Sequence, residues 1–176
     1  MIFECFFPDE LASSAYSIDY ESLYEEGCRG IIYDIDNTLV PHGAPADDRA
    51  MELFGRLKDL GFECLVLSNN KEPRVRSFAD DVGAKYIHKA GKPGRSGYME
   101  AIRRLGTDVG STVFIGDQLF TDVWGAKRCG IKNILVEQID SKEEIQIVLK
   151  RILEKVVMYF YRRSHDTAGK QDSEGR

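Results

Sequence analysis

No two cysteines lie at the spacing that a zinc site or a redox pair needs. The four present, Cys5, Cys28, Cys64 and Cys129, are scattered without a CxxC pair, the pattern expected of reduced thiols in a cytosolic protein. No run approaches the ~18 consecutive apolar residues of a membrane span. The first residues carry Glu4, Asp9 and Glu10 with no basic cluster, so no secretory signal is expected. The expectation is a cytoplasmic protein, at most peripheral on a membrane. Positive charge is in deficit, with 24 Lys and Arg against 29 Asp and Glu, a net charge of −5. That argues against nucleic acid as a partner and means that an anionic ligand must be met by local positive groups. Internal repeats are also absent.

What is present suits one domain with a real core: 176 residues, 43% of them hydrophobic. Residues 1–163 are expected to form it, and the polar, Gly-containing stretch 164–176 to be a disordered tail. The first thirty residues form an entry segment, with a short helix over Ile18 to Glu26. Strands and helices then alternate. Strands are expected at Gly30–Asp36, Glu63–Ser68, Tyr86–His88, Thr112–Gly116 and Lys132–Val136. Helices are expected at Ala46–Leu60, Pro73–Val82, Gly94–Leu105 and Leu119–Cys129, each followed by a glycine. Ser141 and Glu144 have capping-box spacing and open a last helix reaching about Arg163. Its apolar stripe (Ile145, Val148, Leu149, Ile152, Leu153, Val156, Val157) reads first as core packing. The accompanying Lys150, Arg151, Lys155, Arg162 and Arg163 leave open a basic amphipathic face at an anionic membrane.

This alternation predicts a parallel five-stranded sheet with helices on both faces, its ligands at the carboxyl edge of the strands. Every polar feature follows a strand. Asp34 and Asp36 come after the first, in Asp34-Ile35-Asp36-Asn37-Thr38; two carboxylates at the end of a buried strand are costly without compensation. Ser68-Asn69-Asn70 follows the second strand, Lys89 and Gly91-Lys92-Pro93 the third, and Gly116-Asp117 with Asp122 the fourth. Carboxylates, lysines, a hydroxyl and free amides suit a magnesium ion and a phosphate. In such a site Asp34 attacks phosphorus, and Mg2+ sits between Asp34 and Asp117. The Ser68 hydroxyl and the Asn69 amide hold phosphoryl oxygens. Asp36 protonates the leaving group and then deprotonates water. His42, in the short loop beyond, is either a substrate contact or a surface histidine. Glu72 and Arg74 flank the site within reach of a substrate but read first as a solvated helix start, and Trp124 reads as packing.

These four segments, in order, resemble the four motifs of the haloacid dehalogenase-like (HAD) phosphohydrolases. The stretches 30–40, 67–70, 89–93 and 116–126 are similar to the bacterial YqeG-type phosphatases, which are similar in turn to phosphatidylglycerophosphate phosphatases of mitochondria and plastids. Tyr33 departs from the usual Phe. The resemblance implies a three-layer Rossmann-like fold and a magnesium-dependent phosphomonoester hydrolase using an aspartyl phosphate. It implies Lys92, rather than Lys89, at the phosphate. The metal ligands are then Asp34, Asp117 and the main-chain carbonyl of Asp36; Asp122 reads either as orienting Lys92 or a metal-bound water, or as an acid favoured by the dipole at a helix start. Family members often carry a cap domain after the first motif or between Ser68 and Lys92. Neither gap is long enough here, so an open, capless site is expected, suited to a phosphate on something large such as a phospholipid. The other readings are a soluble metabolite or macromolecule as substrate, or a phosphate-binding regulatory protein without turnover.

Overall fold

The structure is a computed structural model that describes residues 4–140 and 153–164. A 3-10 turn at Glu4–Phe6 precedes β1 (Glu10–Ala12) and α1 (Tyr20–Glu25). Then come β2 (Gly30–Tyr33), α2 (Asp48–Leu60), β3 (Glu63–Leu67), α3 (Glu72–Val82) and β4 (Lys85–Ile87). The order continues with α4 (Arg95–Leu105), β5 (Thr112–Gly116), a π-helical turn (Leu119–Val123) running into α5 (Trp124–Cys129), and β6 (Lys132–Val136). Residues 153–164 form the last described helix, α6. The expected cap at Ser141, the stripe from Ile145 to Ile152 and the tail beyond Ser164 lie outside the described residues.

All pairings are parallel, in the order β1-β6-β5-β2-β3-β4. The sheet therefore has six strands, not the five expected. The additional one, β1, pairs Glu10 to Ala12 with Ile134 to Val136 at the sheet edge. It has no apolar run because an edge strand of this length buries little; Glu10 and Leu11 are exposed. β2 and β5 are buried along their whole length, which is why they read as continuous apolar segments.

Successive β2 side chains point to opposite faces. Ile31 and Tyr33 pack with Leu53, Phe54 and Leu57 of α2 and Val75 and Phe78 of α3. Ile32 joins Leu65, Leu67 and Phe114 against Tyr98, Ala101 and Ile102 of α4 and Ala126 of α5. Each fully buried side chain of this size contributes about 1.5–3 kcal/mol of transfer free energy. The result is three layers, helix–sheet–helix. α2 begins where the Asp47 carboxylate accepts from Ala50 N (2.8 Å) and stops at Gly61, whose φ of 96° suits glycine. α6 lies at one end, where Val157 and Tyr161 pack against Phe7, Leu119 and Val123.

Chain order runs outward from β2 through β3 and β4 on one side, and from β5 through β6 on the other. The direction switches between β2 and β5, the point where open α/β sheets form a ligand crevice. No cap is inserted among the described residues: a loop alone joins Thr38 to α2, and α3 and β4 fill the span from Ser68 to Lys92.

Candidate active site

Register sets the first two acids side by side. Tyr33 pairs with Ile115, and Asp34 N donates to Ile115 O (3.0 Å), so Asp34 and Asp117 leave adjacent strands at the same edge. β2 ends at Tyr33, three residues earlier than expected, so both aspartates sit in the loop beyond it. That loop closes tightly: Asn37 N donates to Val40 O (2.7 Å), with Asn37 at φ 65°. Asparagine tolerates this left-handed conformation far better than a branched residue.

Lys92 reaches across the crevice. Its Nζ lies 2.7 Å from Asp34 Oδ1 and 2.7 Å from Asp122 Oδ1, with all three side chains buried. Burial opposes the Lys92 ammonium, but Asp122 and Asp34 outweigh it and hold its pKa above the usual lysine value. Burial pushes the Asp34 carboxyl up to about 6; Lys92 opposes the shift, and Asp122 and Asp36 add to it. Asp122 uses its second oxygen to accept from Gln118 N (3.1 Å). It fits only because residue 116 is glycine, since a Cβ there would collide with the Asp122 carboxylate. Asp34, Asp117 and Asp122 each offer an oxygen within 4.8 Å of the others. Thr38 Oγ1 donates to Asp117 Oδ1 (3.1 Å). All-oxygen donors at this spacing fit a hard divalent cation such as Mg2+.

The second carboxylate of the first loop faces elsewhere. Asp36 accepts from Gly43 N (2.8 Å), Asn70 Nδ2 (2.5 Å) and Arg74 Nη2 (2.9 Å). Arg74, expected to be a solvated helix start, is thus an ion-pair partner of Asp36. The available clue was its place in the first turn of a helix opening at the same sheet edge. Asn69 uses its whole amide on the Lys92 backbone: Lys92 N donates to Asn69 Oδ1 (2.8 Å), and Asn69 Nδ2 donates to Lys92 O (3.1 Å). This clasp, together with Ala90 N donating to Ser68 O (3.0 Å), ties the lysine loop to the end of β3. Ser68 is buried, and its Oγ accepts from Asn70 N (3.2 Å).

A cavity of about 190 Å³ joins these groups, lined by Asp34, Asp36, His42, Ser68, Asn69 and Lys92 among others. His42 therefore stands at the site. Lys89 is exposed and lies outside that lining. Trp124 packs against Phe6 (ring centroids 5.4 Å apart), as expected. Beyond Asp117 a larger hollow of about 650 Å³ runs between Leu11, Leu119, Leu135, Val136 and Met158.

The chain matches the family model for haloacid dehalogenase-like hydrolase over residues 42–130. It is 36% identical, over 93% of its length and 95% of the relative's, to the "Probable phosphatase YqeG" of Bacillus subtilis (strain 168). It is 26% identical to the Arabidopsis thaliana "Phosphatidylglycerophosphate phosphatase 1, chloroplastic/mitochondrial", over 74% of this chain but only 40% of that protein. Among solved structures, the cobalt-bound deoxy-D-mannose-octulosonate 8-phosphate phosphatase of Haemophilus influenzae has the same fold. Its TM-score is 0.51 at 17% identity, over 64% of this chain and 80% of that one. On the family match and the 36% identity over nearly the whole of both chains, the chain belongs to the haloacid dehalogenase-like hydrolases, as a capless phosphatase of the YqeG type.

Proposed function

We propose that the protein hydrolyses a phosphomonoester with Mg2+, through an aspartyl phosphate on Asp34. The observation that carries this reading is the Asp34–Lys92–Asp122 arrangement beside Asp117: a buried carboxylate at a cation, in reach of a metal-ligand set. Asp34 attacks phosphorus, the bond to the leaving oxygen breaks, and Asp36 supplies the proton that oxygen needs. Asp36 then takes a proton from water, which attacks phosphorus, breaks its bond to Asp34 and releases phosphate. Lys92, the Ser68 hydroxyl and the Asn69 amide hold the phosphoryl oxygens. Asp122 keeps Lys92 oriented, and the Asn69 side chain fixes the lysine's main chain. Asp34, Asp117 and the Asp36 carbonyl would hold the ion, which would supply positive charge that offsets the repulsion between carboxylate and phosphate.

Phosphatidylglycerophosphate is the substrate we favour. The Arabidopsis relative named for that activity supports it, as does the apolar hollow that shares Asp117 with the site. Among the described residues no helix is long and apolar enough to cross a membrane. Contact with the lipid surface would fall to α6, where Leu153, Val156 and Tyr159 are exposed beside Lys155, Arg162 and Arg163. Residues 1–163 would form one catalytic domain, working from the cytoplasm.

The test is Mg2+-dependent phosphate release from an aryl phosphate, from soluble phosphate esters and from phosphatidylglycerophosphate in vesicles. Turnover is expected with the wild type and none with Asp34→Asn at unchanged circular dichroism. Folded wild-type protein inactive with every substrate and divalent metal would leave only the non-catalytic phosphate-binding reading. Preference for soluble esters would remove the lipid assignment.

A further inference from the structure

One buried acid has no part in that chemistry. Glu154, on α6, is 6% exposed, and its Oε1 accepts from Leu119 N at 2.8 Å, across 35 residues of sequence. Leu119 opens the π-helical turn, where a first-turn amide has no acceptor within its own helix. It lies two residues after Asp117 and three before Asp122. The neighbouring amide, Gln118 N, is taken by Asp122. Two carboxylates from different parts of the chain thus hold two consecutive amides between the two acidic side chains of this loop. Glu154 and Asp117 also line the same hollow. Around this contact Val157 and Tyr161 pack with Leu119 and Val123.

We propose that Glu154 is a positioning residue for the metal site: by holding the Leu119 amide it fixes the main chain that sets Asp117 and Asp122 relative to Asp34. This makes the C-terminal helix, which lies beyond residues 42–130, part of the cation-binding apparatus. The inference rests on the acidic cluster being a divalent-metal site.

The test uses full-length protein and Mn2+ as a spin probe. Binding is read from loss of the free-ion paramagnetic resonance signal, and Mg2+ affinity from competition. Glu154→Asp keeps the charge but withdraws the oxygen by one methylene; Glu154→Gln keeps the reach and an acceptor without the charge. Glu154→Asp and Glu154→Ala are expected to weaken Mn2+ binding about tenfold or more, and Glu154→Gln to bind close to wild type. The Mg2+ needed for half-maximal turnover should rise in parallel, with little change in kcat at saturating metal. If Glu154→Ala does not fold, the Asp and Gln variants decide. Normal binding by Glu154→Asp, or weak binding by Glu154→Gln, overturns the proposal, because the first makes reach irrelevant and the second denies rescue by the acceptor. Wild-type protein that binds no Mn2+ removes the metal assignment itself, and this inference with it.

Discussion

Replacing Lys92 with Met keeps most of the length of the side chain and deletes the charge that two buried carboxylates share. Lys92, Asp34 and Asp122 have side chains only 4%, 8% and 1% exposed, and both contacts are 2.7 Å. Removing one partner of a buried ion pair costs about 3–5 kcal/mol, because the other charge stays buried without compensation. Here the deletion strands two carboxylates. Asp34 can relieve itself by taking a proton, since its pKa already stands at about 6; Asp122 keeps its amide contact to Gln118. The expected loss is therefore about 3–5 kcal/mol at pH 8 and smaller at pH 6, where the protonated fraction of Asp34 is larger. With a urea dependence of about 2 kcal/mol per molar, the midpoint falls by roughly 1.5–2.5 M. Mg2+ should narrow the gap, because the ion supplies part of the missing charge. Turnover should fall by about 10²–10³, the usual effect of losing one preorganised charge at a transition state. Urea titrations of wild type and Lys92→Met at both pH values, with and without Mg2+, measure the first effect, and aryl phosphate hydrolysis the second. A variant within about 0.5 kcal/mol of wild type at pH 8, or one with turnover within about tenfold, would refute the assignment of Lys92 as the charge shared by both acids.

Other consequences follow from the same geometry. Arg74→Met frees the Asp36 carboxylate from its 2.9 Å ion pair and should lower kcat by about tenfold or more while leaving Mn2+ affinity unchanged; an unaltered kcat removes Arg74 from the positioning of Asp36. Asp34 must be ionised to hold a cation, so a proton competes with the metal below its pKa of about 6. Mg2+ affinity should accordingly fall by up to about tenfold per pH unit below pH 6 and level off above 7, as read by Mn2+ competition; a flat profile from pH 5 to 7 would show that Asp34 is not a ligand.

The features legible in the sequence were those whose signal is local. β2 and β5 are buried on both faces, so their apolar runs stand out, and the carboxylates, lysine and serine follow strand ends in order. What escaped needs contacts from far along the chain. β1 buries too little to show an apolar pattern, and only its pairing with Ile134 to Val136 makes it a strand. Leu119 to Val123 has the spacing of an ordinary helix; its π-helical winding depends on hydrogen bonding that side-chain order does not encode. Arg74 and Glu154 are ordinary charged residues at exposed-looking helix positions. They become site residues because Asp36 and Leu119 N stand opposite them, 38 and 35 positions away. Asn69 was singled out for its amide, whereas its side chain does separate work on the Lys92 backbone.

The charges sort into two groups, and the sorting explains why the two aspartates of the first loop can differ in role. Asp36 is paired with Arg74, one negative charge against one positive. Asp34 and Asp122 share one Lys92, and an oxygen of Asp117 lies within 4.8 Å of theirs, so three carboxylates meet where one lysine is ion-paired. Under the proposed mechanism a divalent cation adds positive charge to these oxygens. Burial does most to raise the pKa of Asp34, Asp122 and Asp36 add to it, and one lysine does not fully offset the cost of its charge. The Asp36 carboxylate faces its own donors, Gly43 N, Asn70 Nδ2 and Arg74 Nη2, rather than Lys92. Under the proposed mechanism a chain with a net charge of −5 would reach a phosphate through one buried lysine and one recruited ion.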